Sequence, residues 1–296
     1  LSGSATVTST PRVPGAVDIS GASAHLLRRN VVAWDVPTDG GATSFELRYS
    51  PTVEVHATLT DVVGGQPIPL QPAGVLESGI AIQVPHLSAF NEFTLDAGDL
   101  STIKQALKGQ LVAVARSADG GVVSATAVQT GFALDDLYAY EGPLGPTFAA
   151  GVPTLALWAP TANSVTLTIF DDAKAVVETR VLTMAPSGVW ATTGPASWKN
   201  RYYQYTINVF HPASNKVETF TVTDPYSVNL STNGLYSQIV DLSDPALMPA
   251  GWTTFVKPAL AAPEDIVVYE SHIRDFSAFD PTVPPERVGK YLAFVP

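Results

Sequence analysis

Short stretches that alternate apolar and polar residues, each cut off by turn chemistry, dominate the chain and leave it few ways to fold. Over residues 1–134 they are "NVVAWDV", "SFELRYS", "VEVHATLT", "IAIQV" and "LVAVARS", separated by Asp39-Gly40-Gly41, Gly64-Gly65 and Asp119-Gly120-Gly121. Alternation with period two fits a strand with one buried face, and glycine pairs supply the positive φ of tight turns. One segment breaks the pattern. "LSTIKQALK" puts Ile103 and Leu107 on one helical face, with Asp99 or Ser101 able to cap its start and Gly109 to stop it.

Residues 135–250 repeat the strand pattern with "TLALWAP", "SVTLTIF", "YYQYTINVF" and "VETFTVTD", joined at Asp171-Asp172, Gly188 and Asn215. So many short strands close naturally into sandwiches. A Pro/Ala-rich connector, "MPAGWTTFVKPALAAPED", then leads into "IVVYESHI". That run is apolar on both faces, as a strand of a buried parallel sheet would be. The expected fold is all-β: a β-sandwich over 1–134, a second over 135–250, and over 251–296 a linker with the start of a third domain. The first sandwich has a second reading, because Trp34, a turn and Tyr49 follow the cadence of fibronectin type III domains.

Composition narrows the function. Of 296 residues, 15% are charged and 46% hydrophobic, with 24 prolines and 22 glycines spread throughout, which excludes a disordered chain. A formal net charge of −11 argues against nucleic acid or an anionic membrane as partner, since phosphates demand basic patches. Residues 142–170 carry no charge, but four prolines interrupt them, so they read as buried sheet and not as a membrane span. Without cysteine there is no disulfide framework and no thiolate metal site. His25, His56, His86, His211 and His272 are scattered without zinc spacing, whereas loop oxygens leave calcium open. No G-x-S-x-G occurs, and the glycine pairs lack the following Lys-Ser/Thr of a phosphate loop.

Retaining glycoside hydrolysis needs two carboxyl groups about 5–5.5 Å apart. Glu270 and Asp275 are separated by an odd number of residues, so an extended strand would send them to opposite faces. His272 and Arg274 would share one face, where they either bind a sugar hydroxyl or orient a carboxylate on a neighbouring strand, or serve a buried hydrogen-bonded network, the reading preferred here. No catalytic residue is assigned. Sugars also stack on exposed rings, and Trp190, Trp198, Tyr202 and Tyr203 are the aromatic candidates. Trp198, beside Lys199 and Asn200, is expected in an exposed loop and is the one residue assigned to substrate binding. Trp158 is expected in the core, as is one of the two faces that separate Tyr202 from Tyr203 and Tyr205. Asp224, before Pro225, reads as a strand terminator accepting a turn hydrogen bond, and Ser231 to Gly234 as a turn.

Taken in order, "LWAPTANSVTLTIF", "GVW", "YYQYTINVFHP", "VTDPYSVNLSTNGLYSQIVDL" and "YESHIRDFSAFD" resemble bacterial type I pullulanases and plant limit dextrinases, the debranching enzymes of the α-amylase clan. The upstream block "TIKQALKGQLVAVARSADGGVVSATAVQTGFALDDLYAY" is similar to the accessory domain of the same enzymes. The resemblance implies retaining hydrolysis of α-1,6-glucosidic links in pullulan, amylopectin and limit dextrins, with no required cofactor. It implies a family-48-type carbohydrate-binding sandwich and, at "IVVYESHI", the first strand of a catalytic (β/α)8 barrel. Such a barrel takes about 250 residues, so the catalytic carboxylates are expected outside this chain, in a missing barrel that is either its continuation or a nicked partner. The expected partner is an α-glucan and the expected location extracellular or cell-surface. The alternative is a stand-alone carbohydrate-binding or cell-surface interaction module.

Overall fold

The computed structural model describes residues 17–36, 38, 41–96, 98 and 100–295. The chain divides into two compact units, Leu1–Ser243 and Asp244–Pro296.

Within the first unit the amino-terminal strands are β1 (Ala24–Arg28), β2 (Val31–Trp34), β3 (Ala42–Ser50), β4 (His56–Ala57), β5 (Val62–Val63), β6 (Gln66–Val75), β7 (Asn91–Thr94), β8 (Gln110–Ser117) and β9 (Val122–Gln129). They form a closed barrel in the order β1-β2-β7-β6-β3-β8-β9, with β4 and β5 paired as a separate ribbon. This corrects the expected first sandwich and its fibronectin-like reading. The ring closes through a short parallel contact between β1 and β9, Ala24 to Val128 and His25 to Gln129. No local pattern announces such a contact, because its partners lie about a hundred positions apart.

The barrel core gathers the inward residues of every wall: Leu26, Trp34, Phe45, Leu47, Ile68 and Phe93 among them. Trp34, Phe45 and Phe93 pack ring against ring, with centroids 4.8 to 6.5 Å apart. Trp34 and Tyr49 are buried as their cadence suggests. The Gly64-Gly65 turn is required sterically as well as conformationally. Gly64 has φ +80°, and a Cβ there would lie 1.9 Å from the Glu54 carbonyl oxygen.

Three helices border the barrel: α1 (Ser78–Ala81), α2 (Leu100–Ala106) and α3 (Gly131–Tyr138). Ile103 in α2 and Leu107 just after it are buried as expected, and the amide of Gly109 closes the last turn on Ala106. Ser101 lies inside the helix, and the Asp99 cap falls outside the described residues, as do Asp39 and Gly40. "IAIQV" is no strand. The Glu77 carboxylate accepts from the Gly79 amide and starts α1 there, burying Ile80 and leaving Ile82 exposed. "VEVHATLT" pairs only at His56–Ala57.

The second half of the unit holds β10 (Gly145–Ala149), β11 (Val152–Trp158), β12 (Ala162–Phe170), β13 (Val176–Val181), β14 (Val189–Thr193), β15 (Tyr202–His211), β16 (Lys216–Val222) and β17 (Ser237–Gln238). A three-stranded sheet, β10-β11-β14, faces a five-stranded one, β13-β12-β15-β16 with β17 on β15. Leu155 and Leu157 of one sheet meet Val165, Leu167, Ile169, Tyr203 and Tyr205 of the other. This is the expected sandwich. Gly188 (φ +79°) and Asn215 (φ +51°) make its turns as read from the sequence.

Barrel and sandwich touch directly. The Trp158 indole N–H donates to the Tyr138 carbonyl at 2.9 Å, and the ring packs partly buried against the barrel core instead of the sandwich core. Asn163 donates to the Lys108 carbonyl, and Gln110 to the Asn215 side chain.

In the second unit, "IVVYESHI" is not a strand. Val267, Val268 and Tyr269 are exposed by 81 to 91%, and the region's one α-helix among the described residues is α4 (Ile273–Phe276). A strand apolar on both faces needs a sheet neighbour on each side for its amides and a layer above and below for its side chains. None of the described residues supplies them.

Candidate functional site

Trp198 does not reach solvent. It ends a 3-10 turn, Ala196–Trp198, and is 2% exposed. One face of its ring is pressed on Gly194, where a Cβ would come within 2.0 Å of Cε3. The Arg180 guanidinium covers the ring at 4.4 Å from its centroid. Its indole N–H donates to Glu178 Oε2 at 3.1 Å, while Arg180 Nε donates to Glu178 Oε1 at 2.5 Å. Arg180 also donates to the Thr193 carbonyl of β14, at 2.9 Å. Glu178 and Arg180 thus point inward from edge strand β13 and close the open side of the sandwich, and Arg180 holds the Glu178 carboxyl below its ordinary range. The exposed loop expected from Lys199 and Asn200 is a plug, and a ring so covered has no face to offer a sugar.

Trp190 and Tyr203 are buried too. Trp190 donates to the Ala159 carbonyl at 2.9 Å and lies under Lys108. The Tyr203 hydroxyl donates to Asp224 Oδ2 at 2.8 Å. Asp224, 3% exposed, also accepts from the Tyr226 amide at 2.8 Å, the turn bond expected before Pro225. Burial pushes the Asp224 carboxyl and both tyrosine hydroxyls, Tyr203 and Tyr205, up from their ordinary values.

Tyr202 alone among the aromatic candidates remains at the surface, half-buried at the start of β15. Its ring meets Tyr236 at 6.4 Å, and Tyr236 meets Phe170 edge-on at 5.0 Å. Lys174 Nζ lies 3.3 Å from the Tyr202 centroid. The lysine is aimed there by the Asp171–Ala175 turn, in which Lys174 takes a left-handed φ of +65° and Asp171 Oδ1 accepts from the Ala175 amide at 2.9 Å. Side-chain amides border the rings. Gln204 donates to the Leu235 carbonyl at 2.8 Å, and Gln238 accepts from Asn229 and donates to the Asn200 carbonyl. The Lys174 ammonium also donates to the Asp172 carbonyl at 3.1 Å. Aromatic surface beside fixed amides and an ammonium suits a pyranose, which has apolar C–H faces and a rim of hydroxyls. Sequence reading missed Lys174, Tyr236 and Phe170 here. The Asp-Asp turn gave the lysine's place, but nothing local said which ring it would cover.

In the second unit, Asp275 pairs with its neighbour Arg274 at 3.3 Å and lies 3.7 Å from the His272 ring. Because Ile273–Phe276 is helical, the strand-face arguments for His272, Arg274, Glu270 and Asp275 do not apply, and the first three, with Asp275, stand exposed. Among the described residues no group of three or more His, Asp or Glu side chains converges to hold a metal, and no helix is long and apolar enough to cross a membrane.

The architecture of barrel and then sandwich has a known counterpart. Residues 21–136 match the Pullulanase N2 domain, and residues 143–227 match carbohydrate-binding module 48, the isoamylase N-terminal domain. The chain carries a pullulanase N2 domain followed by a carbohydrate-binding module 48.

The barrel is therefore the N2 domain and the sandwich the module. The chain is 39% identical over 280 residues to a pullulanase of Klebsiella pneumoniae, covering 92% of this chain and 25% of that protein. It is 36% identical to the chloroplastic Pullulanase 1 of Arabidopsis thaliana, covering 92% of this chain and 28% of that protein. The crystal structure of PulA from Klebsiella oxytoca superposes with a TM-score of 0.83 at 37% identity, over 93% of this chain and 26% of that one. A Klebsiella pneumoniae pullulanase complexed with maltotriose gives 0.82 at 36% identity, over 94% and 26%. The chain thus spans about a quarter of the length of the relatives it matches.

Proposed function

We propose that this chain is the accessory, amino-terminal part of a secreted pullulanase-type debranching hydrolase, and that the module face around Tyr202 and Tyr236 contacts α-glucan. The whole protein cleaves α-1,6-glucosidic links by a retaining mechanism. Its two catalytic carboxyl groups stand on the chain that follows in the relatives, and Val267–His272 becomes the first strand of the catalytic barrel once its neighbours flank it. The observation that carries this reading is the match through both domains, in order, to proteins named pullulanase. The Lys174–Tyr202 arrangement supports the glucan contact: the ammonium swings off the ring, a hexose takes its place, and the lysine then donates to a hydroxyl.

Electrophoresis through a gel containing pullulan tests the contact. The wild-type chain is retarded, and Tyr202→Ala migrates as it does without pullulan. Equal retardation of the two proteins removes Tyr202 from the site, and no retardation of either removes the module from glucan recognition.

A further inference from the structure

β1 sends Ala24 and Leu26 into the barrel core, so His25 and Leu27 stand on the outer wall. There the β6–β7 connection, Leu76 to Phe90, lies over them. Its contact with the wall is a small aliphatic cluster: Leu76, Ile80, Val84 and Leu87 against Leu27, Val31 and Ala33. His25, 9% exposed, sits at the margin of this cluster, its ring 6.5 Å from His86 and 5.9 Å from Phe90, edge-on to both. The same residue makes one of the two pairings that close the barrel between β1 and β9.

We propose that the Leu76–Phe90 crossover is an acid-released flap, freed from the barrel wall when the His25 imidazole beneath it takes up a proton against the His86 ring.

The surroundings favour release over compensation. The strand partners of His25 are Ala33 and Gln129, both neutral. On β1 itself, Arg28 adds positive charge and reaches Gln83 of the crossover at 3.5 Å. Arg29 is taken by Asp136 of α3, at 2.9 Å. Glu77 is spent on the Gly79 amide, and Glu92 accepts from the Glu77 amide at 2.8 Å. Among the described residues no carboxylate forms an ion pair with His25 or His86. Burial first, and the His86 charge second, hold the His25 imidazole below its ordinary value of 6.5. The sign follows from that direction. Docking is at full strength above the ordinary value, where both states are neutral, and weakens as pH falls through the lowered one, because the released flap binds the proton more readily.

Amide exchange of the intact chain, corrected for the intrinsic effect of pH, tests the flap. The reporters are the amides of Leu76, Val84, Leu87 and Phe90, bonded to Phe90, Ile80, Val84 and Leu87 carbonyls. Between about pH 7.5 and pH 5, their protection falls while that of β3 and β8 holds, the direction that a lowered His25 imidazole dictates. His25→Gln abolishes the relative fall. His86→Gln, at an exposed position that leaves the fold alone, diminishes it and raises the His25 midpoint seen by NMR. The proposal is overturned if wild-type protection falls uniformly across the barrel or not at all. It is equally overturned if His86→Gln leaves both the fall and the midpoint unchanged.

Discussion

Arg180 lies 4.4 Å over the ring of Trp198, and the indole returns a hydrogen bond to Glu178, the carboxylate that binds Arg180. The three side chains seal the side of the sandwich that edge strand β13 would leave open. An inward-facing ion pair on an edge strand also discourages pairing with another sheet.

Trp198→Ala removes this plug and destabilises the module by about 3–5 kcal/mol. Gly194→Ala does so by a different route, because its methyl enters the ring. Urea unfolding followed by circular dichroism reads both. Retardation by pullulan of the folded Arg180→Ala protein stays at the wild-type level, since the plug faces no ligand.

Asp224 ties the turn after β16 to Tyr203 on β15, and its carboxyl titrates above the ordinary value because it is buried. A raised carboxyl binds its proton more tightly folded than unfolded. Its contribution to stability is therefore complete below the ordinary carboxylate value of about 4 and declines as pH rises through the folded value. Asp224→Asn removes that decline, which a pH series of urea midpoints measures. Tyr203→Phe leaves Asp224 with one fewer donor and costs about 1–3 kcal/mol at neutral pH.

Gly64→Ala sets a methyl against the Glu54 carbonyl at a positive φ. The loss exceeds about 1 kcal/mol, more than the entropy gained from stiffening the unfolded chain. Trp34, fully buried in the barrel core, reports it by fluorescence.

Much of this was legible wherever the relevant forces are local. β2, β3, β8, β11, β12, β15 and β16 follow from alternation, and the turns at Gly64, Gly120, Gly188 and Asn215 from glycine and asparagine chemistry. β6 was hidden because Pro67, Pro69 and Pro72 argue against a strand, yet it pairs with both β3 and β7. α1 was hidden because a single capping carboxylate turns an apolar run into a helix. Barrel closure depends on β1 meeting β9, a tertiary contact with no local signature. Trp198 shows the same limit within the site: polar neighbours in sequence suggested a loop in water, but the chain folds Gly194 back under the ring and Arg180, brought from β13, covers it.

The proposed function requires that this polypeptide contact α-glucan without cutting it. Proton NMR of the purified chain mixed with pullulan reads both halves at once. Saturable shifts at the Tyr202 and Tyr236 rings, with the α-1,6 anomeric signals constant in time, are the predicted result. Decay of those anomeric signals, or rings that do not respond to pullulan, would contradict it.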